Sequence, residues 1–126
     1  MPKILLVEDN EMNRDMLSRR LLRLGYSVVV AEDGEEGHEL AVHEHPDLIV
    51  MDVALPRMDG LEVTRLLKSN DETKQIPIIV LTAYSQNREK AFAAGCDAFA
   101  SKPVSFRKLN EMIESQLVKS FAARQG

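Results

Sequence analysis

The chain has 126 residues, a length typical of one domain with a single hydrophobic core. Hydrophobic residues make up 44% and charged residues 29%, a balance that excludes disordered and fibrous classes and favours a soluble globular protein. The formal net charge is −4, so the chain lacks the excess of positive charge that is typical of nucleic-acid-binding proteins. The only cysteine, Cys96, excludes an internal disulfide and a cysteine-based zinc cluster, and we interpret it as a small buried hydrophobic residue.

The apolar segments are too short for a membrane-spanning helix or a secretory signal peptide. The first one runs only from Ile4 to Val7 and is followed directly by acidic residues. We therefore expect a cytoplasmic protein without a membrane segment.

Five short segments, each nearly continuous in hydrophobicity, are predicted to be strands covered on both faces. In chain order they are Lys3–Val7, Ser27–Ala31, Leu48–Asp52, Ile78–Thr82 and a weaker candidate, Ala98–Ser101.

Helical periodicity fills the intervals between these strands. The first helix is predicted to begin after an N-cap at Asn10 and to end at Gly25. Its apolar residues, placed on one stripe, are Met12, Met16, Leu17, Leu21 and Leu24. The last helix is predicted to follow a cap at Ser105, with an apolar stripe of Phe106, Leu109, Ile113, Leu117 and Phe121.

Three further helices are predicted near Gly34–His43, Leu61–Ser69 and Asn87–Ala94. Because the segment Gln86–Lys90 is polar throughout, we expect the fourth helix to be lightly anchored and mobile.

Five alternating strands and helices predict an α/β fold, a doubly wound parallel sheet with helices on both faces. We assign residues 1–126 to this one domain. In such sheets, ligands bind beyond the carboxyl ends of the strands, where the strand order reverses. The residues that follow each strand are therefore the candidate site.

Polar and charged side chains stand at four of these strand ends. Glu8 and Asp9 follow the first strand, Asp52 ends the third, Thr82 ends the fourth, and Lys102 follows the fifth. Three carboxylates brought together repel one another unless a cation neutralises them, and an all-oxygen set suits Mg²⁺. Lys102 adds a point charge for a phosphoryl oxygen, and Thr82 adds a hydroxyl donor.

Each of these residues also has an ordinary structural explanation. Asp9 can cap the first helix, Thr82 has high β-propensity, and a single lysine is usually a solvated surface residue. Asp52 is harder to explain in this way, because a carboxylate at the end of a buried strand needs a partner or a chemical role. The prediction of a functional site therefore rests on the joint occurrence of these residues at four strand ends, not on any one of them.

Four stretches of sequence, taken in order, form a specific pattern. They are Lys3–Asn10, Pro46–Pro56 followed by Met58–Gly60, Ile76–Ala83, and Ala94–Pro103. Over nearly its whole length the chain thereby resembles the response-regulator receiver domain of the CheY-like family. The resemblance implies a flavodoxin-like (βα)5 fold with strand order 2-1-3-4-5. Single-domain regulators of the cell-division type resemble the chain further, in Val7–Glu11 and Gly95–Cys96.

The resemblance also implies the roles of the acidic residues. Asp52 matches the phosphoacceptor, which takes a phosphoryl group from a phosphohistidine of a partner protein. Glu8, Asp9 and Asp52 match the residues that hold Mg²⁺, together with the backbone carbonyl of Ala54.

The remaining implied roles belong to the switch. Lys102 matches the residue that contacts the phosphoryl oxygens, and Thr82 matches the one that turns towards them. Phe99 matches the switch aromatic, although its position on a strand is equally typical of a core residue. Lys102–Pro103 matches a cis peptide bond.

We therefore expect a single-domain response regulator of a two-component phosphorelay, without an output domain. It acts as a phosphoacceptor and at most catalyses its own phosphorylation and dephosphorylation. Its expected partners are a histidine kinase or histidine phosphotransfer protein and a downstream protein target, with no nucleic acid and no membrane. It is expected to be a monomer or a weak homodimer.

Three alternatives remain at this point. One is a small Mg²⁺-dependent phosphohydrolase with an aspartyl nucleophile, disfavoured because Ala54 replaces the second acid that such enzymes often carry. Another is a nucleotide-binding module, disfavoured because no glycine-rich loop follows the first strand. The third is the receiver portion of a hybrid histidine kinase.

The chain departs from the receiver pattern in one place. Between Ala83 and Arg88 it is slightly shorter, which puts the usual geometry of the loop before the fourth helix in doubt. The alanine side chain of Ala54, in addition, cannot contact or shield a phosphoryl group.

Overall fold

Strands and helices alternate along the whole chain in the computed structural model, which describes residues 1–53, 55 and 58–125. The strands are β1 (Lys3–Val7), β2 (Ser27–Ala31), β3 (Leu48–Asp52), β4 (Ile78–Thr82) and β5 (Ala98–Ser101). The helices are α1 (Glu11–Arg23), α2 (Gly34–Glu44), α3 (Gly60–Ser69), α4 (Arg88–Ala93) and α5 (Phe106–Gln125). All five predicted strands are confirmed.

The five strands form one parallel sheet in the order β2-β1-β3-β4-β5, which confirms the predicted doubly wound fold. The order reverses at β1, because the chain crosses from β2 over β1 to reach β3. The carboxyl ends of β1 and β3 therefore lie side by side at the switch point of the sheet, where the fold class places its ligands.

Each face of the sheet has its own apolar core. On one face, residues such as Leu5, Met51 and Val80 pack against α2, α3 and α4. On the other, residues such as Ile4, Val50 and Ile79 pack against α1 and α5. The three central strands are buried on both faces, which explains their continuous hydrophobicity.

Helix α1 begins as predicted: the Asn10 side chain accepts a hydrogen bond from the backbone N–H of Asn13 at 2.9 Å. The predicted single apolar stripe of α1 is wrong, because Met12 and Met16 are exposed and only Leu21 is fully buried. At 3.6 residues per turn, these two methionines lie roughly 140–180° around the helix axis from Leu21.

The edge strands also differ from the prediction that every strand is covered on both faces. In β2 only Ala31 is fully buried, and Val30 is exposed, because this strand has a neighbour on one side alone. In β5 only Ala100 is buried. Edge position, rather than hydrophobicity, decides how much of these strands the helices cover.

A 3₁₀ turn, Ser85–Asn87, lies between β4 and α4, in the segment predicted to be shorter than the receiver pattern. Helix α4 itself has six residues, with Ala91 buried. The expected mobility of this helix stays a prediction. No helix among the described residues combines the length and apolar character needed to cross a membrane.

Gly60 lets α3 approach the end of β3. Its backbone N–H donates to the Val53 carbonyl at 3.0 Å, and a β-carbon at this position would collide with the backbone carbonyl oxygen of Asp52. A glycine is therefore required here for steric reasons.

Gly60→Ala should lower the free energy of unfolding by about 3 kcal/mol, because the backbone of β3 has to shift to admit the methyl group. Gly25→Ala is the control: it meets no atom within 4 Å but has a positive φ, so it should cost only about 1 kcal/mol. Urea unfolding of both variants measures this, and equal losses would contradict the steric argument.

Cys96 lies in the apolar core under α4 and is 6% exposed, as expected for a small buried hydrophobic residue. Burial, reinforced by the charge of Asp97, raises the pKa of its thiol to about 11. The nucleophilic thiolate is therefore scarce at neutral pH.

The Cys96 thiol of the native protein should react with a disulfide reagent at pH 8 about a hundredfold more slowly than that of the urea-unfolded protein. Its rate should continue to rise about tenfold per pH unit beyond pH 9, because the thiolate fraction grows until the pH reaches the pKa. A rate that levels off near pH 9 would show an unperturbed thiol.

Candidate functional site

The three predicted acidic residues meet at the carboxyl edge of the sheet. Glu8 and Asp9 follow β1 directly, and Asp52 ends the neighbouring strand β3. One carboxylate oxygen from each lies within 4.8 Å of the others. Glu8 and Asp52 are buried, with 3% and 8% of their surfaces exposed, whereas Asp9 is exposed.

Glu8 is held from two sides. Its Oε1 accepts a hydrogen bond from Lys102 Nζ at 3.0 Å, and its Oε2 accepts one from the backbone N–H of Asn10 at 3.2 Å. Burial on its own raises the pKa of a carboxyl group, but these two donors outweigh it, so the pKa of Glu8 is lowered. Glu8 is therefore a carboxylate at neutral pH.

Lys102 bridges the two buried acids. Its Nζ lies 3.0 Å from Glu8 Oε1 and 3.4 Å from Asp52 Oδ2. Burial opposes the ammonium charge, but Glu8 and Asp52 together more than offset this and raise the pKa of Lys102. The adjacent backbone is anchored to β4, since the Lys102 N–H donates to the Thr82 carbonyl at 2.6 Å, and the Lys102–Pro103 bond is cis, as the resemblance implies.

The chemistry of this donor set fits Mg²⁺. Three carboxylates and one ammonium leave two formal negative charges at the edge of the sheet, which a divalent cation would balance. The cluster offers oxygen atoms alone, the ligands that Mg²⁺ prefers. Ala54, whose carbonyl the resemblance adds to this set, lies outside the described residues.

Thr82 and Phe99 stand on the neighbouring strands β4 and β5. The Thr82 side chain is buried and its Oγ1 accepts a hydrogen bond from the Tyr84 N–H at 3.2 Å. Phe99 is half-buried, and the Arg88 guanidinium lies 5.9 Å from the centre of its ring. The ring therefore packs partly against the core and has a cation near it.

Sequence reasoning missed two residues at this site. Gly60 packs against the backbone of Asp52, and Arg14 donates to the backbone carbonyls of Glu8 and Asp9. At this site both residues contact backbone atoms. No side-chain motif signals such contacts, although a glycine at the start of a helix is one hint of a close approach.

Comparison with known proteins decides the family. Residues 4–114 match the family model described as the response regulator receiver domain. The chain belongs to this family.

Among curated relatives of this receiver domain is the polar-differentiation response regulator DivK of Brucella anthropi. It is 41% identical over 120 residues, which cover 93% of this chain and 98% of the relative. The predicted resemblance to receiver domains, and to single-domain regulators of the cell-division type, is confirmed.

Two solved structures confirm the fold of the receiver domain. A CheY-like response regulator receiver domain protein from Methanospirillum hungatei superimposes with a TM-score of 0.91 at 29% identity, covering 100% of this chain and 99% of its own. The receiver domain of a sensor histidine kinase from Pseudomonas aeruginosa superimposes with a TM-score of 0.85 at 33% identity, covering 92% and 97%. The latter holds a magnesium ion in its active-site cleft.

Lys102→Met should lower the free energy of unfolding by about 2 kcal/mol in metal-free buffer, because two buried carboxylates lose their cation. Added Mg²⁺ should recover part of this loss, since a ligand that binds only the folded state stabilises it.

Lys74→Met is the control, because Lys74 pairs with the exposed Asp71 at 2.9 Å and should change stability by less than about 0.5 kcal/mol. Urea unfolding with and without Mg²⁺ measures both variants. Equal losses in both, or a Lys102→Met loss that Mg²⁺ does not alter, would contradict this account of the site.

Proposed function

We propose that Asp52 is the phosphoacceptor of a two-component phosphorelay, and that its phosphorylation switches a partner-binding surface of this receiver domain. The contact of Lys102 Nζ with both Glu8 and Asp52 is the observation that carries the proposal. It gathers a carboxylate nucleophile, a cation for phosphoryl oxygens and a neighbouring acid at one edge of the sheet. Membership of the receiver domain family supports it.

In the proposed reaction an Asp52 carboxylate oxygen attacks the phosphorus atom of a phosphohistidine on a partner protein. The new P–O bond forms as the P–N bond breaks, and the electron pair of that bond remains on the imidazole nitrogen. Phosphoryl transfer depends mainly on positioning and on neutralising the charge of the equatorial oxygens. Lys102, which follows β5 and has its Nζ 3.4 Å from Asp52 Oδ2, would supply one positive charge there.

Glu8, Asp9 and Asp52 would hold Mg²⁺, with the backbone carbonyl of Ala54 proposed as a further ligand. When bound, Mg²⁺ would supply additional positive charge to the transferring phosphoryl group. The magnesium in the cleft of the Pseudomonas aeruginosa receiver domain supports this assignment.

The arrangement of the neighbouring strands supports a switch. Thr82 ends β4 beside Asp52, because the two strands pair with Asp52 opposite Leu81. The Thr82 hydroxyl oxygen now accepts a hydrogen bond from the Tyr84 N–H. A phosphoryl group on Asp52 would attract this hydroxyl away from Tyr84. Phe99 would move inward into the space vacated, which would alter the surface formed by α4 and β5.

Receiver domains belong to signalling proteins rather than to conventional enzymes, which disfavours the phosphohydrolase alternative. The match with DivK over 98% of its length supports the assignment of this chain to one receiver domain. We propose a histidine kinase or phosphotransfer protein as the phosphodonor and a protein as the downstream target. A cytoplasmic location and a monomer or weak homodimer complete the proposal.

The protein should become phosphorylated by acetyl phosphate in the presence of Mg²⁺, and chelation of the metal should abolish the reaction. Asp52→Asn should remove the labelling, because the amide is not a nucleophile of comparable strength. Asp71→Asn, at an exposed side chain that pairs with Lys74, is the matched control and should be labelled normally. Mass spectrometry measures the added phosphoryl group, and undiminished labelling of Asp52→Asn would overturn the assignment.

Thr82→Ala should be phosphorylated to a similar extent but should lose most of the conformational response, because the hydroxyl that follows the phosphoryl group is gone. Amide chemical shifts in α4 and β5, recorded before and after phosphorylation, measure the response. Thr82→Ser keeps the hydroxyl and should retain the conformational response. A full response in Thr82→Ala would exclude Thr82 from the switch.

A further inference from the structure

Arg14 is bonded to the backbone on which two of the proposed metal-binding acids stand. It lies on the first turns of α1, and its side chain is only 13% exposed. Its Nη1 donates to the Glu8 carbonyl oxygen at 3.0 Å and lies 3.4 Å from the Asp9 carbonyl oxygen. One guanidinium nitrogen therefore holds two consecutive peptide units of the loop between β1 and α1.

The other end of the same guanidinium reaches a second loop. Arg14 Nη2 pairs with Glu32 Oε1 at 3.1 Å, just beyond the end of β2. The Glu32 backbone N–H in turn donates to Glu36 Oε1 at 2.9 Å, and Glu36 N–H donates to the Asp33 carboxylate at 2.8 Å. Arg14 is thus linked, through Glu32, to the hydrogen bonds that cap the start of α2.

The planar fork of arginine explains why this residue type suits the position. Its nitrogen atoms point in fixed directions, so one side chain can hold the loop after β1 and the loop after β2 at once. A lysine would keep the charge but, as a single point donor, could not bridge both groups in the same geometry.

We propose that Arg14 is a positioning residue for the proposed metal site, which fixes the backbone of Glu8 and Asp9 so that their carboxylates face Asp52 before the cation binds. This inference rests on the proposed function in that the bound ligand is Mg²⁺. Arg14 uses its donors on carbonyl groups and on Glu32, and it acts on the cation only through the backbone that it holds.

Positioning and simple electrostatics predict opposite effects for Arg14→Ala. Removing a positive charge near a cation site should strengthen Mg²⁺ binding if charge alone matters. If Arg14 positions the ligands, the same substitution should weaken Mg²⁺ binding about tenfold, as is typical for the loss of a group that orients metal ligands.

The experiment is a calorimetric Mg²⁺ titration of the unphosphorylated full chain and of four variants. Arg14→Ala should bind Mg²⁺ about tenfold more weakly, and Arg14→Lys should remain weakened about fivefold despite its charge. Glu32→Gln, which disturbs only the second loop, should weaken binding about threefold. Arg19→Ala is the matched control: it removes the same charge from an exposed side chain of α1 and should bind like the wild type.

A second readout needs no metal. The Asn10 amide, which donates to Glu8 Oε2, should exchange its hydrogen about tenfold faster in Arg14→Ala than in the wild type, whereas amides in β3 should be unchanged. Faster exchange throughout the protein would instead indicate a general loss of stability and would overturn the proposal.

The remaining outcomes separate the two hypotheses. Wild-type protein that does not bind Mg²⁺ would contradict the proposed function, and the Asn10 exchange rate would then decide the role of Arg14. Mg²⁺ binding in Arg14→Ala that equals or exceeds that of the wild type, or full recovery in Arg14→Lys, would overturn the inference. If Arg14→Ala fails to fold, Arg14→Lys provides the same test, with wild-type affinity as the contradicting result.

Discussion

The partly buried ion pairs of Lys102 are the interaction on which the site depends. The Lys102 ammonium group comes from the end of β5 and contacts carboxylates from β1 and β3, which are 94 and 50 residues away in sequence. Without a cation, Glu8 and Asp52 would repel each other in a region with little water, and their burial would favour protonation. With it, the pKa of Glu8 is lowered and that of Lys102 is raised, so this pair is held in its charged form at the edge of the sheet.

This compensation requires a rigid sheet edge, because charge attraction falls quickly as the atoms separate. Parallel pairing of β1, β3, β4 and β5 brings the four strand ends to one edge. The loops are then held by backbone contacts: Gly60 admits α3 against the end of β3, and Arg14 secures the loop after β1. The site thus combines side chains that carry charge with other residues that hold their backbone in place.

Much of the fold was predictable from the sequence, because each central strand is buried on both faces and shows this as an uninterrupted apolar run. Five of the seven candidate site residues followed from the same reasoning, since parallel strands end at a common edge, whereas Ala54 and Phe99 came from the family resemblance alone. Prediction failed where burial depends on neighbours. Met12 and Met16 on α1 are apolar yet exposed, and Val30 is exposed because β2 is an edge strand.

The sequence by itself determined the alternation of strands and helices, the family resemblance and the set of charged residues at the strand ends. These features are local, since they depend on the periodicity of the apolar residues and on which residue follows each strand. Only the tertiary structure decided that Lys102 bridges Glu8 and Asp52, and that Arg14 joins the loops after β1 and β2. Such contacts join residues distant in the chain, often through backbone carbonyls that every residue carries, so no local pattern distinguishes them.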